Sequence, residues 1–182
     1  MFQGAMISLL WLLLTCSAGA CAHVANNGQE ISTSKAIPSD TLITLERSGA
    51  GCEGLCPNYT LKISADGVVV YEGEQFVRKK GRAESKLTQE QLRQLISEFD
   101  KANFFSLRDK YAGAEDGCPA GWLDHPSATT SIRINGRSKK ILHYYGCREK
   151  SSDGGSGPVY PKELFELEHR IDEVAGTKQW TE

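Results

Sequence analysis

The fold is decided by one stretch of the chain, Tyr59-Thr-Leu-Lys-Ile-Ser-Ala-Asp-Gly-Val-Val-Val-Tyr71. Apolar and polar side chains alternate in its first half, which is typical of a strand with one buried face. Ala65-Asp66-Gly67 predicts a three-residue hairpin loop, because such a loop ends in a left-handed residue and glycine adopts that conformation cheaply. This loop places Ile63 opposite Val69 and keeps the apolar side chains of both strands on one face.

Further elements are predicted on both sides of this hairpin. A β-prone run, Thr41–Arg47, precedes it, and another short strand is predicted around Gln75–Arg78. A helix is predicted to begin at Thr88, whose side chain can cap the first turn while Gln91 reciprocates. The basic run Arg78–Arg82 is interpreted as a solvated hairpin end rather than a binding patch.

The second half of the chain predicts another hairpin and a closing helix. Residues 111–127 are interpreted as a long loop, and Asn135-Gly136 as the turn between strands Thr129–Ile134 and Lys139–Tyr145. A flexible Gly/Ser-rich loop follows at 151–157, and a helix then begins near Pro161. We therefore expect an α+β domain whose mostly antiparallel sheet has about five or six strands, with two helices packed on one face.

The beginning of the chain predicts export. Residues 1–20 are interpreted as a signal peptide, because the apolar run Ile7–Leu14 is too short to span a bilayer and small residues follow it. No Lys or Arg precedes that run, which departs from the usual signal-peptide pattern. Cys21 follows Ala18-Gly19-Ala20, which approximates a bacterial lipobox, so Cys21 is a candidate lipid anchor; cleavage without lipidation is the alternative. Residues 21–40 are then a flexible polar spacer, and 41–182 a single domain.

Composition limits the partners of this domain. Hydrophobic residues make up 40% of the chain and charged residues 24%, which is ordinary for a soluble protein. The formal net charge of -2 does not favour a polyanionic partner. Nucleic acid is therefore not an expected ligand.

Four further cysteines lie beyond Cys21, namely Cys52, Cys56, Cys118 and Cys147. An even number of cysteines in an oxidising compartment predicts disulfides. Several pairings are compatible with the sequence, and we favour Cys52 with Cys56 and Cys118 with Cys147.

The segment Cys52-Glu-Gly-Leu-Cys56-Pro57 also permits a metal or thiol-redox interpretation. It resembles the copper-binding segment of Sco-type copper chaperones, in which two thiolates and a distant histidine bind a soft metal. His143 or His125 could supply that histidine. The segment lies between two predicted strands rather than in a thioredoxin-like βαβ unit, which favours a structural disulfide, and no cofactor is expected under that interpretation.

One loop combines residue types that often bind ligands. Trp122, Asp124 and His125 lie together there, and exposed loops frequently carry binding residues. The alternative is an ordered loop whose Trp122 is anchored on the core. We find no nucleophile elbow, zinc-protease motif, P-loop or dinucleotide fingerprint in the sequence, so we do not expect an enzyme.

The residues together resemble a known family. The resemblance is carried, in order, by Ile43–Arg47, Cys52–Tyr59, Asp66-Gly67, Val70–Gly73, Phe104-Phe105 and Tyr144–Gly146. This ordered set is similar to the bacterial domain-of-unknown-function family 6438, over about residues 41–176. The resemblance implies an exported bacterial protein, and it provides no catalytic residue or cofactor to transfer.

These inferences lead to one functional expectation. The protein is expected to be a non-catalytic binding or interaction module of the cell envelope, with an unknown envelope protein or cell-wall component as its partner. It is expected in the periplasm or anchored to the outer membrane facing the periplasm, and otherwise secreted. The alternative function is a copper-binding or thiol-redox protein.

Overall fold

The computed structural model describes residues 36–49 and 56–182. The strands are β1 (Leu42–Ser48), β2 (Asn58–Ser64), β3 (Val68–Gln75), β4 (Gly81–Lys86), β5 (Lys110–Tyr111), β6 (Ala120–Gly121), β7 (Ser127–Ile134), β8 (Arg137–Tyr144), β9 (Cys147–Lys150) and β10 (Ser156–Val159). The helices are α1 (Gln89–Lys101), α2 (Lys162–Ala175) and α3 (Lys178–Thr181), with 3-10 turns at Phe104–Ser106 and Ala114–Asp116. None of the helices in these ranges is long and apolar enough to cross a bilayer.

The strands form a seven-stranded sheet in the order β4-β3-β2-β1-β7-β8-β5 and a three-stranded sheet in the order β10-β9-β6. All pairings are antiparallel except that of β5 with β8. The predicted α+β class and the mostly antiparallel sheet are confirmed. The predicted number of strands is too low, because β5, β6, β9 and β10 lie in or beside segments that were interpreted as loops.

The first hairpin has the predicted loop and register. Ile63 lies opposite Val69 and Leu61 opposite Tyr71, and all four side chains are fully buried. Gly67 has φ +83°, the left-handed conformation that this loop requires. A Cβ atom on Gly67 would also lie 2.4 Å from the carbonyl oxygen of Leu87, so glycine is required here for space as well.

The predicted strand at Gln75–Arg78 is wrong. β3 continues to Gln75, residues 76–80 form the connection, and β4 begins at Gly81. Phe76 adopts φ +53°, which interrupts extended backbone although its neighbours are β-prone. The basic side chains of the connection are exposed, as expected for a solvated hairpin end.

Helix α1 begins with the predicted capping box. Gln91 N donates to Thr88 Oγ1 at 3.1 Å, and Thr88 N donates to Gln91 Oε1 at 2.9 Å. Its buried residues Leu92, Leu95 and Phe99 pack into the same core as α2 and the inward face of the large sheet. The helical layer therefore covers the face on which the buried strand residues lie.

The second hairpin turns at Asn135 and Gly136, whose φ values of +52° and +69° are those of a type I′ turn. Ile134 lies opposite Arg137, so the loop has two residues. Asp40 holds this turn: its carboxylate oxygens accept from Asn135 N at 3.0 Å and from Gly136 N at 2.7 Å. These two backbone donors, that of Gly136 first, lower the pKa of Asp40. The last residue of the predicted spacer is thus fixed at one end of the large sheet, while residues 21–35 lie outside the described ranges.

Two loop predictions in the second half need correction. Residues 111–127 contain β6 and a 3-10 turn, and residues 151–157 include the start of β10. β6 has two residues and β10 has four, so neither strand is long enough to show a clear alternation of apolar and polar side chains. Helix α2 begins directly after Pro161, near the predicted position, and ends at Ala175, where Gly176 caps it in the left-handed conformation.

Candidate functional site

A cleft of about 820 Å³ opens at the end of the large sheet opposite to Asp40. β1 and β8 end there, β2 and β7 begin there, and α2 and α3 supply the other wall. Its rings come from Tyr59, Tyr145, Phe165, His169, Pro57 and Pro126. Charged side chains of both signs complete the lining.

An ion pair between strand and helix forms the base of the cleft. Arg47, near the end of β1, donates from Nε at 3.0 Å and from Nη2 at 2.7 Å to Asp172 Oδ2 on α2. The other carboxylate oxygen of Asp172 accepts from the Tyr59 hydroxyl at 2.5 Å. The side chains of Arg47 and Asp172 are only 10% and 17% exposed, so the pair is held in one geometry at the edge of solvent.

Tyr145 connects this pair to a second carboxylate inside the protein. Arg47 Nη1 donates to the Tyr145 hydroxyl, and that hydroxyl donates to Glu168 Oε2 at 2.7 Å. The Arg47 guanidinium also lies 5.5 Å from the centre of the Tyr145 ring. The Tyr145 hydroxyl therefore links Arg47 in the cleft to the buried Glu168 by hydrogen bonds.

Glu168 is fully buried and has a hydrogen-bond partner on each oxygen. Thr130 Oγ1 donates to Oε1 at 3.1 Å, and His143 Nδ1 lies 2.9 Å from Oε2. His143 is also fully buried, and its Nε2 lies 3.1 Å from the carbonyl oxygen of Tyr160. A carbonyl oxygen can only accept, so Nε2 carries a hydrogen, and a further proton then lies between Nδ1 and the carboxylate.

The environment fixes the protonation of the side chains that face the cleft. Burial and the neighbouring Asp172 carboxylate raise the pKa of Tyr59, which keeps its hydroxyl a donor. Burial alone would lower the pKa of Arg47, but Asp172 and then Glu168 raise it. Burial, followed by the nearby Arg47 charge, lowers the pKa of His169, so its imidazole is neutral at neutral pH.

The sequence model of one protein family matches residues 41–175, which include every residue of this network. The chain belongs to DUF6438, a domain of unknown function. The predicted family is thereby confirmed, whereas the bacterial origin and the export that the resemblance implies stay predictions. No curated protein matches the chain.

One of the two predicted disulfides of the DUF6438 domain lies within the described ranges. Cys118 and Cys147 are bonded, as predicted, with Cα atoms 5.3 Å apart. Cys147 is fully buried at the start of β9, and Cys118 is 8% exposed. The bond therefore ties the loop before β6 to the small sheet.

The cysteines of the proposed metal segment are only partly described. Cys52 and the candidate anchor Cys21 lie outside the described residues, so the pairing of Cys52 with Cys56 stays a prediction. Cys56 borders the cleft and is itself disulfide-bonded. His143, the predicted third ligand, directs both ring nitrogens to Glu168 and Tyr160. Within 36–49 and 56–182, we find no group of three or more His, Cys, Asp or Glu that could hold a metal ion.

The predicted binding loop lies next to the cleft. Trp122 N donates to the carbonyl of Gly146 at 2.8 Å, and His125 N donates to the Tyr144 hydroxyl at 3.2 Å. Trp122 is 38% exposed, which differs from a side chain anchored in the core. Asp124 is exposed and has φ +58°. The loop joins the site through Pro126, which follows His125 and lines the cleft.

Sequence reasoning missed the network, although one local signal was present. Glu168 stands four residues after Leu164 and three before Ile171, within the apolar stripe of α2. A carboxylate in such a stripe requires a buried partner. His143 likewise follows the inward alternation of Ile141, but the partner on the other element could not be identified from spacing.

Proposed function

We propose that this DUF6438 protein is a non-catalytic binding module of the cell envelope and that it binds its partner in the cleft. The signal peptide predicted at residues 1–20 would export the chain. Lipidated Cys21 would then anchor it to the outer membrane, facing the periplasm. Without lipidation the domain would be free in the periplasm or secreted. The partner would be an envelope protein or a cell-wall component.

The rigid Arg47 at the base of the cleft is the observation that carries this proposal. Its contacts to Asp172 and Tyr145 hold the guanidinium in place, so little side-chain entropy is lost on binding. Surrounding rings supply apolar area, and a few fixed polar groups supply orientation, which is the usual composition of a ligand site.

The same geometry favours binding over catalysis. A nucleophilic enzyme needs a hydroxyl or thiol hydrogen-bonded to its base. In the described lining of the cleft, the neutral imidazole of His169 contacts the Phe165 ring at 4.4 Å and makes no hydrogen bond to a hydroxyl or thiol. His169 is therefore assigned a contact role.

The charges of the lining indicate which partners fit. Arg170 and Lys178 are balanced by carboxylates, of which Glu166, Glu173 and Glu182 lie in the same lining. Such a mixed surface does not select a polyanion. It suits a neutral glycan or a protein segment of mixed charge, both of which occur in a cell wall and its associated proteins.

Replacing His169 by alanine is expected to weaken partner binding roughly tenfold, because aromatic contact residues dominate binding energy. The full chain would be incubated with purified cell-wall sacculi and, separately, with a detergent-solubilised envelope fraction, and bound protein would be quantified. Lys162→Ala is the matched control, since Lys162 is exposed on the same helix outside the cleft lining.

Two results would contradict the proposal. If the wild-type protein binds neither sacculi nor any envelope protein, the proposed binding function is contradicted. Equal retention by His169→Ala, Lys162→Ala and wild type would show that the partner binds elsewhere. Phe165→Ala, which removes the ring beneath His169, provides an independent second variant of the cleft.

The alternative copper or thiol-redox function would require Cys56 to become a free thiolate and His143 to leave its two buried partners. Intact-mass spectrometry of the exported protein, with and without reduction before alkylation, tests this directly. We expect the cysteines at positions 52, 56, 118 and 147 to be alkylated only after reduction, because we predict all four to be in disulfides, and we expect no bound metal. Free thiols at 52 and 56, or retained copper, would favour the alternative.

A further inference from the structure

A cluster of basic side chains lies at the opposite end of the domain from the cleft. Arg133 on β7 and Arg137, Lys139 and Lys140 on β8 border one groove of about 850 Å³. Asp109 is the acidic residue of that groove. The lining therefore has a clear excess of positive charge, whereas the lining of the cleft is mixed.

The basic groove is open because β8 is only partly covered. β5 pairs with β8 at Leu142 and His143, and within 36–49 and 56–182 no strand pairs with the outer edge of residues 137–140. Arg133, Arg137 and Lys140 are exposed. Arg137 is also positioned, since its guanidinium lies 4.0 Å from the centre of the Phe105 ring.

Two of the four basic side chains of the groove have a carboxylate close by. Lys139 pairs with Asp109 at 2.8 Å, whereas Arg133 donates from Nε to the backbone carbonyl of Asp40 at 3.2 Å and also interacts with the Asp40 carboxylate. Among the described residues, Arg137 and Lys140 have no carboxylate partner. The groove can therefore attract an anionic surface.

The position of the groove indicates which surface this is. Asp40 is bonded to the β7–β8 turn beside it, and Ala36, the first described residue, also lies near this turn. Residues 21–35 can span up to about 50 Å when extended. A membrane that holds Cys21 is therefore within reach of the basic groove.

We propose that the basic groove docks the domain on the anionic phospholipid surface of the membrane to which the chain is tethered. In this orientation the cleft, at the other end of the sheet, faces away from the membrane. The docking rests on the export and tether of the proposed function but does not depend on what the cleft binds. Lipid phosphates would lie against Arg133, Arg137 and Lys140.

Vesicle co-sedimentation tests the docking. The full chain carrying Cys21→Ser, which cannot be lipidated there, would be mixed with vesicles of phosphatidylcholine alone or with added phosphatidylglycerol. We expect binding to the anionic vesicles in low salt and its loss in high salt. Each basic side chain near an anionic surface contributes roughly a fivefold change in partitioning, so Arg133→Gln with Lys140→Gln should lower binding about 25-fold.

The control removes the same charge elsewhere. Lys62→Gln with Lys86→Gln changes two exposed lysines on β2 and β4, outside the groove. Equal losses in both double variants, or equal binding to neutral and anionic vesicles, would overturn the proposal. Displacement by inorganic phosphate, but not by chloride at matched ionic strength, would show a free-phosphate site and overturn it as well.

Charged residues on a free strand edge also prevent edge-to-edge association. Sedimentation of the groove variant without vesicles separates this role from docking. If the variant self-associates while its vesicle binding is unchanged, the basic residues protect the edge and the docking proposal fails. The sacculus assay on the cleft is independent of all these outcomes.

Discussion

Replacing Glu168 by alanine is expected to lower the free energy of unfolding by about 3 to 5 kcal/mol, because it leaves the buried His143 without the carboxylate that shares its proton. The imidazole of His143 and the hydroxyls of Tyr145 and Thr130 lose their common acceptor in a region without solvent. Urea unfolding followed by far-UV circular dichroism measures the loss.

A double-mutant cycle isolates the pair from general damage to the core. If Glu168 and His143 are coupled, the loss in the double variant Glu168→Ala with His143→Ala is smaller than the sum of the single losses, by roughly 0.5 to 3 kcal/mol. Glu166→Ala, an exposed residue on the same helix, should change stability by less than about 0.5 kcal/mol. Additive losses would show that the two side chains do not stabilise each other.

Removing the disulfide by Cys118→Ala with Cys147→Ala is expected to cost about 3 to 4 kcal/mol. The bond closes a loop with a sequence separation of 29 residues, and the chain-entropy account assigns a stabilisation of this size to such a loop. The same account predicts a more expanded unfolded state, so the dependence of the unfolding free energy on urea should become steeper.

Chemical reduction of the wild type and of the double variant provides a control for the disulfide prediction. A reductant should destabilise the wild type by more than it destabilises the double variant, because only the disulfide of Cys56 remains there. A double variant as stable as the wild type would mean that the bond constrains neither the loop before β6 nor the small sheet.

Local signals made much of the fold predictable. The loop at Ala65-Asp66-Gly67 and the capping box of Thr88 and Gln91 depend on residues within a few positions of one another. Their geometry follows from backbone sterics and hydrogen-bond reach, which short sequence windows contain. The pairing of Cys118 with Cys147 was favoured but not fixed by the sequence, because four cysteines allow several pairings.

The site was much less predictable because its contacts are distant in sequence. Arg47 and Asp172 are separated by 125 positions, and nothing near either residue identifies the other. Short strands such as β6 were missed for a related reason: their backbone groups pair across the sheet, while two residues show no periodicity. His143 was considered as a ligand, whereas its position on β8 makes it the buried partner of Glu168.

Strand β1 has a mechanical consequence that follows from where it begins and ends. Its first residues follow Asp40, which is fixed at the spacer end, and Arg47 near its end forms the base of the cleft. It runs roughly 20 Å between the two ends, flanked on both sides by β2 and β7. A pull between the residues before β1 and a ligand held at Arg47 would load this strand along its axis. Rupture would then have to shear two ladders of hydrogen bonds together, so the domain would resist tension applied in this direction.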